Sequence, residues 1–332
     1  MNKFIIIFFF ALVTCDIDID EVLFHKFQRF INKYHKKYNS VKEFLARYEV
    51  FKRNTISAFK ENASYQIGIT KFSDLTSQEF SKMYLNLNYD AFAVANFNPF
   101  IVKVSNAAPD SWDWRDKGYI NIIKDQGSCG ANWAFTACSI LEALYYMKKG
   151  VMISLSEQML IDCDIYDSGC NGGSLENAFT WLKENGIMRD GDYPYRGYKS
   201  SCRSDPSKYI DMKVTGYVKL GSSGSTWDPV DEEEIKEFLY ETGPLAAGIN
   251  ANGLQTYTSG VIDKTSTQCP PSGINHIVTL VGYGHDNSSN KDYWIGRNSW
   301  GKSWGESGYF RIKRGSGTCG INCYIIAPRV SF

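Results

Sequence analysis

Gln126-Gly-Ser-Cys-Gly-Ala-Asn-Trp-Ala-Phe135 decides the reading of this chain. A short glycine-containing loop runs straight into a helical pattern. Trp133, Ala137, Ile140, Leu141, Leu144 and Met147 recur on one side of residues 132–149. Lys148, Lys149 and Gly150 then supply a helix C-terminus. Asn132 stands at the helix start, where asparagine is among the best N-cap residues. The loop therefore delivers its groups to a helix N-terminus, where the backbone dipole favours negative charge.

Working outward, residues 20–62 read as two helices. Leu23, Phe24, Phe27, Phe30, Ile31, Tyr34 and Tyr38 supply one apolar face; Phe44, Tyr48, Phe51 and Phe59 supply the other. Ser40-Val-Lys-Glu43 between them is a capping-box pattern. Residues 85–107 have no periodicity and read as an extended linker. Beyond the central helix, Leu155–Asp162 and Leu175–Glu184 read as helices. After Gly216 short strand-like runs take over at Leu245–Ile249, His276–Val281, Tyr293–Arg297 and Gly308–Ile312, with a polar loop at 221–233 before one more short helix. A helical half preceding a β-rich half predicts two subdomains with a cleft between them.

The chain has 332 residues, with 36 Lys+Arg against 36 Asp+Glu. Zero net charge argues against a nucleic-acid or polybasic membrane binder. Nine Cys point to an oxidising compartment. Met1-Asn2-Lys3 and the apolar run Phe4–Val13 read as a signal peptide, too short to span a bilayer, with cleavage after Cys15. The mature chain is then expected in the secretory pathway, outside the cell or in a lysosome or vacuole, with no membrane span. Asn62 and Asn287 begin glycosylation sequons.

The quoted stretch, together with Cys170-Asn-Gly-Gly173, Asn275-His276 and Asn298-Ser-Trp-Gly301, resembles the papain-like cysteine proteases, in particular the cathepsin-L-like group. The resemblance runs from about residue 20 to the end. It implies an α+β fold, with a helical left domain, a β-barrel right domain and a cleft between. It also implies an inhibitory pro-region at 16–107, a peptidase domain at 108–332, and processing near Asn106–Ala108. Glu43, Arg47, Phe51, Asn54 and Asn62 fit the pro-region helix, with Ala58 where Ile is usual. Gly68, Thr70, Phe72 and Asp74 fit the motif that follows, with Thr70 in place of Asn; both departures are expected to loosen the pro-region.

By the same resemblance His276 is the acid/base, Asn298 orients it under Trp300, and Gln126 is the side-chain donor of the oxyanion hole. Arg297 stands where many relatives carry Lys. The nucleophilic Cys belongs at position 132, where this chain has Asn. A carboxamide has a delocalised nitrogen lone pair and no proton of useful pKa, so no acyl-enzyme can form on it. Cys138 lies about 9 Å and 240° further along the helix and points to the core. Three readings follow: an inactive homologue that keeps a peptide-binding cleft; an active endopeptidase if Asn132 is an artefact or engineered; and an inhibitor or partner of active relatives acting through the pro-region.

The resemblance pairs Cys129–Cys170, Cys163–Cys202 and Cys269–Cys319, leaving Cys138 and Cys323 as buried thiols or a further pair. It maps the specificity pocket to Leu175, Gly248, Ile274 and Ile277, partly exposed walls, with Tyr324 at the floor. Tyr324 is expected to shorten the pocket, to meet a polar ligand, or to be an ordinary buried residue. Gly172 and Gly173 are expected to offer backbone hydrogen bonds to an extended peptide. Peptide or protein ligands and the chain's own pro-region are the expected partners of a monomer, with no metal and no cofactor.

Overall fold

The computed structural model describes residues 19–60, 63–87, 107–220 and 229–332. The signal peptide and its cleavage site, the Asn62 sequon, most of the linker and the tip of the 221–233 loop lie outside the described residues. Helices α1 (Ile19–Tyr34) and α2 (Val41–Lys60) form the first unit. The Ser40 hydroxyl accepts from the Glu43 N–H at 3.1 Å. The Glu43 carboxylate reaches back to the Asn39 N–H at 2.7 Å, one residue before the position a capping box uses. Phe27, Phe30, Tyr48 and Phe51 are buried between the helices and form a small core of their own. Strand β1 (Gln66–Ile67) and helix α3 (Ser77–Tyr84) follow, α3 opening on a Thr76/Glu79 capping box.

Strand β2 (Trp112–Asp113) leads to α4 (Asn132–Lys149), α5 (Glu157–Cys163) and α6 (Leu175–Asn185), which share one buried cluster. α5 starts two residues after Leu155, because the Ser156 hydroxyl caps the Met159 N–H at 3.0 Å and leaves Leu155 bridged to Arg189. The β half comprises β3 (Lys213–Leu220), α7 (Glu232–Thr242), β4 (Leu245–Ile249), β5 (Tyr257–Ser259), β6 (Val261–Ile262), β7 (His276–Asp286), β8 (Lys291–Arg297), β9 (Tyr309–Lys313) and β10 (Ile325–Ser331). The main sheet runs β3-β10-β4-β7-β8-β9-β6, with β2 added on β7. β7 lies against α4 and carries His276 at its first residue, so the helical and β halves meet at the two positions singled out in the sequence.

Cys129–Cys170, Cys163–Cys202 and Cys269–Cys319 are bonded, closing spans of 41, 39 and 50 residues. Each constrains the unfolded chain by about 4 kcal/mol in the chain-entropy account. Cys138 and Cys323 are buried and take no part in these three disulfides. Burial holds the Cys138 thiol well above its ordinary pKa, so it stays protonated and apolar. Among the described residues no helix is long and apolar enough to cross a membrane.

The segment before residue 88 is built into the β half. β1 pairs antiparallel with β5. Tyr65, Phe72, Leu75, Phe80, Tyr84 and Leu85 are buried in the same cluster as Trp300 and Trp304. Phe72 and Phe80 meet Trp300 edge-on, with ring centroids 5.5 and 5.2 Å away. Thr70, expected to loosen this region, instead ties it down: its hydroxyl donates to the Gln255 carbonyl at 2.6 Å. Gln255 returns two bonds to the Phe72 and Leu75 carbonyls at 2.8 and 2.7 Å.

Candidate active site

Asn132 is the first residue of α4, not its cap. Ala131 holds the cap position and no side chain caps it. The reason is a competing partner: Asn132 Oδ1 accepts from the Ile277 N–H of β7 at 3.2 Å. Asn132 is fully buried, and its Nδ2 points to the Tyr84 carbonyl at 3.5 Å.

His276 Nε2 lies 2.9 Å from Asn298 Oδ1. That oxygen also accepts from the Ser299 N–H at 2.8 Å. An amide oxygen fixed this way requires His276 Nε2 to be the donor, which leaves Nδ1 with the lone pair. Among the described residues Nδ1 makes no hydrogen bond of good geometry. Burial pushes the His276 pKa down to about 4, with the Asn298 amide and the Tyr84 carbonyl pulling the other way. Trp300 lies over the imidazole at 4.8 Å and is fully buried, so it excludes water from the His276–Asn298 contact.

Gln126 is also fully buried. Its Oε1 accepts from the Ser299 hydroxyl at 2.5 Å, and its Nε2 donates to the Cys129 carbonyl at 2.8 Å. The same nitrogen lies 3.5 Å from the Tyr84 carbonyl. The structure thus brings Gln126, Asn132, His276 and Asn298 together, with the Tyr84 carbonyl among the first three. Ser299, which fixes both amides, is not singled out by sequence reasoning, though it lies within the quoted Asn298-Ser-Trp-Gly motif.

The chain continues from Tyr84 through tight quarters. A Cβ on Gly130 would stand 2.5 Å from the Asn86 side chain, and one on Gly172 would stand 2.5 Å from the Asn86 carbonyl oxygen. Leu87 bridges Gly173 in parallel register. Gly172 does not offer the backbone bonds expected of it. Its carbonyl accepts from the Ser168 N–H and its N–H turns back to Gly169. Its part is to leave room, at a φ of 114°.

The five mapped pocket residues lie together but are not partly exposed walls. Leu175, Gly248, Ile274, Ile277 and Tyr324 are all buried in the precursor. Leu175 is the first residue of α6 and belongs to the core of the helical half, as do Ile277 and Tyr324. Tyr324 Cβ and Ile274 Cγ2 converge on Gly248, within 3 Å of where its Cβ would be. The Tyr324 hydroxyl accepts from the Leu175 N–H at 3.2 Å and donates to Glu176. Glu176 in turn pairs with Lys219 at 3.1 Å. The phenol's polar end is therefore satisfied inside the protein rather than by a ligand. Glu176 is missed by sequence reasoning; a carboxylate at the second position of an apolar helix face is its only signal. Arg297 donates to Ser139 and, at 2.5 Å, to the Ile122 carbonyl, which anchors β8 behind Asn298.

The segment that fills the site is latched by polar contacts to α2. Arg47 donates to the Asp74 carbonyl at 3.1 Å and to the Glu79 carboxylate at 2.8 Å. Asn54 donates to the Ser73 and Leu75 carbonyls at 2.9 and 2.8 Å. Asp74 meets Lys36 at 2.8 Å and Tyr38 at 3.0 Å. Ala58 is half-buried and makes none of these contacts.

Acid is expected to open this latch in two windows. The bond from Arg47 holds the Glu79 carboxyl down at about 2. A carboxyl lowered in the folded state stabilises it fully above about 4.5, and that stability is lost as pH falls toward 2. His276, lowered to about 4, takes up its proton more readily once the site is open to water. Closure is therefore weakened earlier, as pH falls from about 6.5 to 4, by a factor on the order of a hundred. Amide exchange of α3 against pH checks this: His276→Gln should remove the upper window and Glu79→Gln the lower.

A profile of the papain family cysteine proteases matches residues 108–329, and the cathepsin propeptide inhibitor domain matches residues 27–80. The chain belongs to the papain family of cysteine proteases. More particularly, it is a cathepsin-like precursor of that family, with its propeptide ahead of the peptidase region. Cysteine proteinase 15A of Pisum sativum is 39% identical over 319 residues, covering 91% of this chain and 85% of the pea protein. Cathepsin F of Mus musculus is 38% identical over 301 residues, covering 89% of this chain and 63% of the mouse protein. The solved structure of digestive procathepsin L2 from the larval midgut of Tenebrio molitor superposes with a TM-score of 0.83 at 32% identity. That match covers 92% of this chain and 99% of the beetle chain.

Proposed function

We propose that this protein is a papain-family homologue that does not cleave peptides and keeps its cleft for binding extended chains. It is made with a signal peptide at 1–15, a pro-region at 16–107 and a peptidase-like domain at 108–332. It passes through the secretory pathway to the cell exterior or to a lysosome or vacuole. Asn287, exposed in the turn between β7 and β8, is the described sequon open to a glycan.

One observation carries the reading. The position at the N-terminus of α4, beside His276, holds a carboxamide whose oxygen is already bonded to the Ile277 N–H. His276, Asn298 and Gln126 keep an arrangement suited to acyl transfer, in which Gln126 steadies an oxyanion and His276 moves a proton. Without a nucleophile they have nothing to activate. The bridge from Leu87 to Gly173 supports an extended chain as the ligand.

The test is direct. After an added protease has removed the pro-region, the domain is expected to show no peptide-amide hydrolysis and no labelling by an epoxide thiol-protease inhibitor. Pure precursor held at acidic pH should remain uncut near Ala107. Stoichiometric labelling in the cleft overturns the reading.

A further inference from the structure

We propose that Asn132 gives this site a binding function: with Gln126 it forms an uncharged clamp for the backbone carbonyl of an extended, uncleaved peptide. The inference rests on the inactive reading above. In the precursor the clamped group is the Tyr84 carbonyl.

The orientation of the Asn132 amide is set by its surroundings. Oδ1 faces a backbone donor, the Ile277 N–H, at 3.2 Å. Nδ2 is thereby turned to the Tyr84 carbonyl at 3.5 Å. Gln126 is held the same way. Ser299 fixes its oxygen, Cys129 takes one N–H, and the other is directed at the same carbonyl, again at 3.5 Å. Both side chains are fully buried. His276 lies beside them and is close enough to feel the Tyr84 carbonyl; with Nε2 donating to Asn298, its Nδ1 holds a lone pair and donates nothing to that oxygen.

The chemistry selects the ligand. Two amide donors and a neutral imidazole carry no formal charge. A carboxylate buried there would lack a cation and lose its hydration, whereas a peptide carbonyl needs only hydrogen-bond donors. A thiol at position 132 would supply one weak S–H donor, and a carboxamide supplies two N–H donors. Gly130 and Gly172 leave the space that the next residue, Asn86, fills, and Gly173 pairs with Leu87. The clamped carbonyl thus belongs to a chain that runs on through the cleft.

Amide exchange of the full-length precursor, read by mass spectrometry at neutral pH, tests the clamp. Asn132→Asp keeps an oxygen for the Ile277 N–H but turns a charged acceptor toward the Tyr84 carbonyl. Exchange across residues 84–87 is expected to rise at least tenfold while α6 stays as protected as in the parent. On lowering the pH toward 5 the new carboxyl becomes a donor again, and the ratio of variant to parent should fall back toward one. If Asn132→Asp loses protection in α6, Asn132→Ala is read instead, with a several-fold rise expected. Unchanged exchange at 84–87 with α6 intact overturns the clamp, and so does loss of α6 protection in both variants, because one peptide contact does not hold the domain together. These outcomes leave the inactive reading standing; hydrolysis by the processed parent overturns that reading and the clamp with it.

Discussion

Asn132→Cys, freed of its pro-region, should hydrolyse peptide amides at least roughly a thousandfold faster than the parent treated in the same way. Removing the nucleophile from a comparable serine enzyme costs about 10⁶ in kcat, so even a partial return is large. The parts a thiolate needs are in place. The new sulfur would sit at the first residue of an 18-residue helix, where the dipole favours its negative charge. Among the described residues His276 Nδ1 makes no hydrogen bond of good geometry, and its other nitrogen is fixed by Asn298 at 2.9 Å. Gln126 is held by Ser299 and Cys129, and once the Tyr84 carbonyl has left, its N–H faces an empty position for an oxyanion. Initial rates on a peptide-amide substrate, with active sites counted by an epoxide inhibitor, decide the matter. A folded variant that labels but does not turn over would show that His276 or Gln126 is out of place.

The second large effect concerns the pro-region. Phe51→Ala should destabilise the α1–α2 pair by about 3–5 kcal/mol, the usual cost of deleting a buried phenyl ring. Phe51 is fully buried and its ring lies 5.1 Å from both Phe27 and Phe30. The core it belongs to has four buried members, so little remains to close the gap. Arg47 and Asn54 stand on the same helix, one turn either side, and their bonds to Asp74, Glu79, Ser73 and Leu75 depend on α2 staying ordered. Phe59→Ala, at a residue 68% exposed, is the control and should change stability by less than about 0.5 kcal/mol. Amide exchange over residues 19–60 measures both. Equal exchange in the two variants would mean that the helices are ordered by something other than this aromatic core.

How much of this is legible in the sequence depends on whether a local signal exists. α1, α2 and α6 keep an apolar face at helical spacing; the bounds of α2 and α6 fall within a residue or two of the pattern, whereas α1 stops at Tyr34, four residues before Tyr38. α4 is readable from its ends, because Asn132 through Ala143 is buried on every side and its apolar stripe is broad. β3 and β10 escape notice. Gly216 interrupts one and Pro328 the other, and a register shift lies between Arg329 and Val330. The proline is tolerated because β10 pairs with β4 only at Ile325 and Ile326, so the far side of Pro328 has no ladder to lose. In the site, the motif residues are legible, but the direction of the Asn132 amide is not. The Ile277 N–H that claims its oxygen lies 145 residues away in the chain, and only the packing of β7 on α4 brings it there. Glu176 under Tyr324 and Gln255 under Thr70 are likewise long-range partners without a sequence signature.

The carboxylate of Glu237, on α7, holds the backbone N–H of Ala107 at 2.9 Å and that of Ala108 at 3.0 Å. A cut beside Ala107 by another protease would turn one of those amide nitrogens into an ammonium group. The contact would change from a hydrogen bond between a neutral donor and an anion to an ion pair already in position. The new end of the chain would then be seated where it forms, with its charge neutralised. Severing the pro-region there would tighten the domain's own grip on its first residue, so maturation would run downhill at the terminus whether or not the domain ever cuts a peptide itself.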